Sequence, residues 1–167
     1  MTILIRPYRE TDRQRLKDLT VDSFQGVSID HNIDLLLGAA AGRDWRWRKA
    51  RHIDHDIDVP GGELAVAEES GIPVGYVTMM FDRETLIGWI HNLAVDPGVR
   101  NQGLGRQLLE HALDRFRAEG MTVAKIETLE QNPVGRHLYP SLGFREVARQ
   151  IHYAMDLRAG TETEEGR

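Results

Sequence analysis

The middle of the sequence constrains the fold most, because it holds three apolar runs that are separated only by short polar turns. The runs are Glu63 to Glu68, Val74 to Phe81 and Leu86 to Val95, and residues 70–73 and 82–85 have turn chemistry. Strands joined by such short turns pair antiparallel, since a parallel return needs a crossover of about a dozen residues or more. The sequence therefore predicts an antiparallel meander.

The N-terminal part of the chain predicts one strand followed by helices. Ile3 to Arg6 favours a short strand, which Pro7 ends. Thr11 or Asp12 can cap the helix that comes next. Residues 26–60 combine leucines and alanines with interrupting glycines, and this mixture predicts one or two short helices.

A long amphipathic helix follows the meander and ends at Gly120. Its apolar residues recur at helical spacing; they are Leu104, Leu108, Leu109, Ala112, Leu113 and Phe116. Met121 to Leu129 predicts a further strand, Asn132 with Pro133 predicts a helix start, and Phe144 to Leu157 predicts a last strand. The predicted fold class is α+β, with a mixed, mostly antiparallel central sheet and helices on both faces.

Composition narrows the class of protein. The chain has 167 residues, a formal net charge of −5 and no cysteine, which excludes disulfides, cysteine-ligated zinc and a thiol nucleophile. We expect residues 1–157 to form one domain and residues 158–167 to form a polar, disordered tail. The sequence has no membrane-length apolar run and no signal-peptide core, and its acidic balance argues against nucleic acid or a membrane as a partner. We therefore expect a cytoplasmic protein.

A glycine-containing segment at residues 100–106 lies between the third apolar run and the amphipathic helix. Free backbone N–H groups at a helix start favour an anion such as phosphate. Neither of two familiar nucleotide motifs fits, because Leu108 stands where a dinucleotide fingerprint needs glycine and Leu104 where a P-loop needs lysine. If only the glycines are considered, the alternative to a phosphate site is a tight turn that binds no ligand.

Two motifs together resemble one family. The run Leu93-Ala94-Val95-Asp96-Pro97, followed by Arg100-x-x-Gly103-x-Gly105, is similar to the acetyl-CoA motif of the GNAT superfamily of N-acetyltransferases. Asn132, Tyr139 and Leu142-Gly143-Phe144 resemble the second motif of that family. The spacing is most similar to the branch that acetylates the N-terminal alanine of a ribosomal protein. The likeness is specific over residues 86–146.

The resemblance implies an acetyl-CoA site in a gap between the fourth and fifth strands. The exposed backbone of Leu93, Ala94 and Val95 would pair with the pantetheine arm. The pyrophosphate would lie on the amides from Asn101 through Gln102, Gly103, Leu104 and Gly105 to Arg106, with Arg100 and Arg106 adding charge at the rim. Asn132 would bind the cofactor arm through its side-chain amide. Tyr139 would lie near the thioester sulfur and act as the general acid.

The resemblance offers two candidates for the general base that an amine acceptor needs. Glu127 matches the glutamate assigned as base in the ribosomal-protein branch and is slightly favoured. His91 stands where many family members carry glutamate, and an ordinary imidazole pKa of about 6.5 suits a base. A bound water that relays the proton is the alternative to both, and each side chain could instead have only a structural partner.

The segment after the first helix commonly lines the acceptor side in this family. Here Arg43 to Arg51 is a basic cluster that contains Trp45 and Trp47. An acidic acceptor would suit it, but a solvated helix anchored by tryptophans is the stronger interpretation. The neighbouring run His52 to Asp56 resembles a metal cluster but lacks a recognised ligand spacing, so we expect no metal.

The sequence thus predicts an N-acetyltransferase that moves the acetyl group of acetyl-CoA directly to a primary amine. The acceptor could be a small molecule, a peptide N-terminus or a lysine. The alternative is a non-catalytic acyl-CoA-binding or regulatory module on the same fold. A homodimer is possible, and the acceptor's identity stays open.

Overall fold

One mixed sheet of five strands organises the computed structural model, which describes residues 2–158. The strands lie side by side in chain order, as β1 (Ile3–Pro7), β2 (Gly62–Glu69), β3 (Ile72–Asp82), β4 (Ile87–Val95) and β5 (Val123–Ile126). Neighbours from β1 to β4 pair antiparallel, whereas β5 pairs parallel to β4. The predicted meander and the α+β class are confirmed.

Helices cover both faces of this sheet. They are α1 (Arg13–Phe24), α2 (Ile29–Leu37), α3 (Trp45–Asp58), α4 (Leu104–Ala118) and α5 (Pro133–Ser141). The region of residues 26–60 thus holds two helices, and α4 ends close to the predicted Gly120. No helix within residues 2–158 is long and apolar enough to cross a membrane.

Two hydrophobic cores lie on opposite faces of the sheet. Alternate residues of a strand point to opposite faces, so Leu64 and Val66 of β2 enter one core while Ala65 and Ala67 enter the other. The first core contains residues of α1 and α3. The second is built on one stripe of α4, which consists of Leu104, Leu108, Leu109, Ala112 and Phe116.

Asp12 precedes α1 as predicted, but it does not cap that helix with its side chain. Its buried carboxylate instead accepts hydrogen bonds from the Arg6 guanidinium at 2.8 and 2.9 Å and from the Arg9 N–H at 2.8 Å. Arg6 also donates to Glu68 at 2.6 Å. This network ties the start of α1 to β1 and β2, which explains why the carboxylate is not used as a cap.

The prediction of a last strand at Phe144 to Leu157 is wrong. Residues 144–156 form neither helix nor strand, and most of their side chains are exposed. A strand needs a hydrogen-bonded neighbour, and within residues 2–158 no strand pairs with this segment. β5 is also shorter than the predicted Met121 to Leu129. The single domain of residues 1–157 stays a prediction, and residues 159–167 of the predicted tail lie outside the described residues.

Gly88 of β4 allows Phe116 to pack directly on the strand, because a Cβ there would come within 2.4 Å of the ring. We predict that Gly88→Ala lowers the free energy of unfolding by about 1–3 kcal/mol, the usual cost of overpacking a core. Urea unfolding monitored by circular dichroism measures this change.

The double variant Gly88→Ala with Phe116→Leu checks the cause. The smaller leucine makes room for the added methyl group, so the double variant should lose less stability than the sum of the two single variants. Strict additivity of the two changes would contradict the steric explanation.

Candidate active site

β4 separates from β5 halfway along its length. The parallel pairing runs from Ile87 with Val123 to Ile90 with Ile126 and then ends. The remainder of β4, up to Val95, pairs only with β3. This divergence leaves a gap between β4 and β5, at the position where the resemblance implies one.

A β-bulge in β4 accompanies the divergence. Val77 lies opposite Leu93, and Met79 lies opposite Ile90, so β4 has one residue more than β3 across this step. The Asn92 N–H donates to the Thr78 hydroxyl oxygen at 2.9 Å instead of to a β3 carbonyl. A bulge bends its strand and increases the local twist, which turns the end of β4 away from β5.

The loop between β4 and α4 presents backbone amides at a helix start. Asn101 and Gly103 both have left-handed backbone, with φ of 62° and 81°, and no side chain caps the first turn of α4. The N–H groups of Leu104, Gly105 and Arg106 have no acceptor within the helix, because the first N–H groups of any helix lack one. These features fit a bound phosphate group.

The two arginines of this loop already have partners. Arg106 donates to the Ser141 hydroxyl at 2.6 Å, which joins the start of α4 to the end of α5. Arg100 donates to the Val95 carbonyl at 3.2 Å, and the Ser23 hydroxyl donates to the same oxygen at 3.3 Å. A ligand that pairs with β4 would therefore share this carbonyl with them.

Helix α5 approaches the end of β5 closely because residue 135 is glycine. A Cβ on Gly135 would lie 2.7 Å from the Thr128 hydroxyl oxygen and 3.1 Å from the Tyr139 ring. Asn132 caps α5 as predicted, accepting from the Gly135 N–H at 3.4 Å, while its amide donates to Thr128 at 2.9 Å. The side chain that the resemblance assigns to the cofactor thus has two partners within the chain.

Tyr139 lies on the inner side of α5, in T-shaped contact with Phe144. Pro140 does not stop the helix at Tyr139, since α5 continues to Ser141. Within residues 2–158 the Tyr139 hydroxyl makes no hydrogen bond, and burial raises its pKa to about 12. The phenol therefore keeps its proton at neutral pH.

A cavity of about 560 Å³ brings the two candidate bases together. Its lining comes from α3, from β4 and from the residue after β5; it consists of Arg48, Lys49, Arg51, His52, His55, Asp56, Trp89, His91, Asn92 and Glu127. Tyr139 is not part of this lining. Glu127 is exposed and forms an ion pair with Lys125 at 3.0 Å, and the Lys125 ammonium lies 3.9 Å from the centre of the Trp89 ring.

Asp56 is the residue at this site that sequence reasoning missed. Its buried carboxylate accepts from Thr78 and Asn92, both at 2.7 Å, and lies 3.2 Å from His91 Nδ1. Burial alone would raise the pKa of Asp56, but hydrogen bonds from His91, Thr78 and Asn92 outweigh it and hold the pKa below its usual range.

This contact sets the tautomer of His91, because a carboxylate at Nδ1 keeps the proton on that nitrogen. His91 Nε2 is then an acceptor; it is buried and has no hydrogen-bond partner within residues 2–158. The only sequence signal for Asp56 is the run His52 to Asp56, which resembles a metal cluster. Within residues 2–158 no group of three metal-binding side chains forms.

The basic segment is neutralised only in part by its surroundings. Arg48 pairs with Asp30 and Asp34, and Trp45 is buried while Trp47 is exposed, as their spacing on a helix predicts. Lys49 is buried and donates to Asn92 at 2.9 Å. Burial lowers its pKa to about 8, although nearby carboxylates act in the opposite direction.

The sequence model described as "Acetyltransferase (GNAT) family" matches residues 15–144. The chain belongs to the GNAT family.

Its GNAT relatives include the [ribosomal protein bS18]-alanine N-acetyltransferase of Escherichia coli strain K12, 39% identical over 75 residues. That match covers 45% of this chain and 48% of the relative, so the chain spans about half the length of the curated relatives it matches.

Two solved structures share the GNAT fold with this chain. The ribosomal-protein-S18-alanine N-acetyltransferase from Escherichia coli has a TM-score of 0.67 at 20% identity, over 88% of this chain and 80% of that chain. AAC(6')-Iy, in complex with the bisubstrate analog CoA-S-monomethyl-acetylneamine, has a TM-score of 0.63 at 16% identity, over 93% and 99% of the two chains.

We expect the Asp56 network to make the stability of this GNAT protein depend on pH. A carboxylate whose pKa is lower in the folded than in the unfolded chain stabilises the fold above its unfolded pKa of about 3.9, and this contribution is lost as the pH falls through the folded pKa. We predict that Asp56→Asn lowers the free energy of unfolding by about 1–3 kcal/mol at pH 7 and by less at pH 3. Urea unfolding at the two pH values measures the difference.

Asp114→Asn is the matched control, because Asp114 pairs with Arg117 on the exposed surface of α4. It should leave stability nearly unchanged at both pH values. The prediction fails if Asp56→Asn is as stable as the wild type at pH 7 or is equally destabilised at both pH values. Either result would show that the carboxylate charge does not stabilise the fold.

Proposed function

We propose that this protein is an acetyl-CoA-dependent N-acetyltransferase that transfers the acetyl group directly to a primary amine. The observation that carries the proposal is the cavity that joins Glu127 and His91 beside the gap between β4 and β5. Family membership and the GNAT fold support the same activity. The chain has no cysteine to serve as a thiol nucleophile, which favours attack by the acceptor amine itself.

The residues assigned to the cofactor fit a CoA thioester. The open amides of Leu104, Gly105 and Arg106 would hold the pyrophosphate, and the unpaired side of β4 at residues 93–95 would pair with the pantetheine arm. The uncapped start of α4 is the observation that fits the phosphates. When bound, acetyl-CoA supplies an acetyl group that is activated as a thioester.

Glu127 takes the proton from the acceptor in this proposal. An alkyl amine with an ordinary pKa of about 10.4 is protonated at neutral pH and must lose a proton before it attacks. Glu127 is exposed at the cavity and can reach an amine that enters from solvent, whereas His91 Nε2 is buried. His91, whose ring is held by Asp56, then helps to position the acceptor in the cavity.

Tyr139 supplies the proton that the leaving sulfur of CoA takes up in this proposal. Its raised pKa keeps the hydroxyl protonated, so it is a proton donor for the leaving sulfur. The close approach of α5 that Gly135 permits fixes the position of the phenol relative to β5. Asn132 anchors the start of the same helix.

The acceptor in this proposal is a primary amine on a small molecule, a peptide N-terminus or a lysine. The relative that acts on the alanine of ribosomal protein bS18 makes a peptide N-terminus the first class to screen. A cytoplasmic location and a homodimer belong to the same proposal, with no metal, nucleic acid or membrane as a partner.

We predict that acetyl-CoA and CoA raise the melting temperature of the purified protein, whereas NAD does not. A ligand at 100 times its Kd stabilises the folded state by about 2.7 kcal/mol, which a thermal shift assay detects readily. If neither CoA species shifts the melting temperature, the cofactor assignment and with it the proposed function fail.

We predict that Glu127→Gln lowers kcat at pH 7 by about 100-fold or more, because the amide cannot accept the proton. The assay measures released thiol with the peptide acceptor that a screen identifies. Glu84→Gln, in the exposed turn before β4, is the control and should leave kcat unchanged.

His91→Gln distinguishes the two candidate bases. A larger loss in His91→Gln than in Glu127→Gln would make His91 the base and contradict the assignment above. Full activity of both variants at every pH would contradict it in favour of a water relay.

A further inference from the structure

Lys125 places a primary ammonium against the candidate base. Its Nζ lies 3.0 Å from Oε1 of Glu127 and 3.9 Å from the centre of the Trp89 ring. A carboxylate accepts charge-assisted hydrogen bonds from an ammonium, and the face of an aromatic ring attracts a cation. The position that an acceptor amine must reach in the proposed reaction therefore already holds an amine of the same chain.

Lys125 lies at the closed end of the gap between β4 and β5. It pairs with Trp89, one step before the parallel pairing of the two strands ends. A pantetheine arm that runs from the amides at residues 101–106 along residues 93–95 of β4 would point its thioester toward this closed end. The inference rests on the proposed function, because the placement of acetyl-CoA belongs to that proposal.

The ion pair does not lock the Lys125 ammonium in place. The side chains of Lys125 and Glu127 are 47% and 57% exposed, and ion pairs as exposed as this contribute little to stability. The four-carbon stem of a lysine is flexible. Once it has given a proton to Glu127, the amine can therefore move from the Trp89 ring into the gap.

The chain contains two other lysines, and both are held elsewhere. Lys17 forms an ion pair with Asp54 at 2.6 Å, between α1 and α3. Lys49 lines the cavity, but its side chain is buried and its ammonium donates to Asn92 at 2.9 Å. Within residues 2–158, Lys125 is the lysine that forms an ion pair with Glu127.

We propose that the protein acetylates its own Lys125, within one chain, with acetyl-CoA as the donor. Glu127 takes a proton from the ammonium, and the neutral Nζ attacks the carbonyl carbon of the thioester. The C–S bond breaks, and Tyr139 gives its proton to the leaving sulfur. The nitrogen loses its second proton as the amide forms, and this proton restores the Tyr139 hydroxyl. One ammonium and one thioester thus yield one amide, one thiol and one proton, which Glu127 releases to solvent.

Peptide mapping by mass spectrometry tests the proposal on the full chain incubated with acetyl-CoA. Lys125 should gain one acetyl group at least about 100-fold faster than Lys17, which is the internal control. Glu127→Gln should slow the acetylation of Lys125 by about 100-fold or more, whereas Glu84→Gln should leave it unchanged. Lys125→Arg keeps a positive charge beside Glu127 and should gain no acetyl group at this position.

A mixing experiment tests whether the transfer stays within one chain. Lys125→Arg protein, which keeps the base, is mixed with Glu127→Gln protein, which keeps the lysine, and the two carry tags of different size. The proposal expects the lysine of the Glu127→Gln chain to stay unmodified. It also expects the rate constant of the wild type to be independent of protein concentration. Acetylation of that lysine in the mixture would contradict transfer within one chain.

Two further results would overturn the inference. One is acetylation of Lys17 or Lys49 as fast as that of Lys125, or labelling of Lys125 that Glu127→Gln does not slow. The other is a protein that acetylates a peptide with an N-terminal alanine while Lys125 stays unmodified, and the proposed function would then stand. A protein that acetylates neither Lys125 nor any amine of an acceptor screen would contradict the proposed function as well.

Discussion

The site depends most on two hydrogen bonds of the Thr78 hydroxyl. The hydroxyl accepts the Asn92 N–H and so replaces a ladder bond at the bulge of β4, and it donates to the Asp56 carboxylate. The first contact helps to turn the end of β4 away from β5 and opens the gap. The second fixes the carboxylate that sets the tautomer of His91. One hydroxyl therefore links the shape of the sheet to the electrostatics of the cavity.

The brevity of β5 has consequences on both of its sides. Toward β4, pairing stops at Ile126, and the gap and Glu127 follow directly from that end point. Away from β4, the strand offers an edge with which no strand within residues 2–158 pairs. The inner side serves the proposed acetyl transfer. A longer, fully paired β5 would remove both features.

The sequence predicted the features that depend on local pattern, and it failed where a distant partner decides. The turns of the meander and the apolar stripe of α4 are local, as is the cap at Asn132. The contact of Asp56 with His91 joins a helix to a strand 35 positions away, so no spacing rule reveals it. The segment from Phe144 to Leu157 has the composition of a strand, yet no strand within residues 2–158 pairs with it.

Hydrogen exchange of the backbone amides, with and without acetyl-CoA, tests the central claim most directly. That claim is that the divergence of β4 from β5 and the open start of α4 form one cofactor site. The account predicts slower exchange at residues 93–95 and 101–106 when acetyl-CoA is added, and little change in β1 and β2. Unchanged exchange at both segments while the protein is saturated with acetyl-CoA would contradict it.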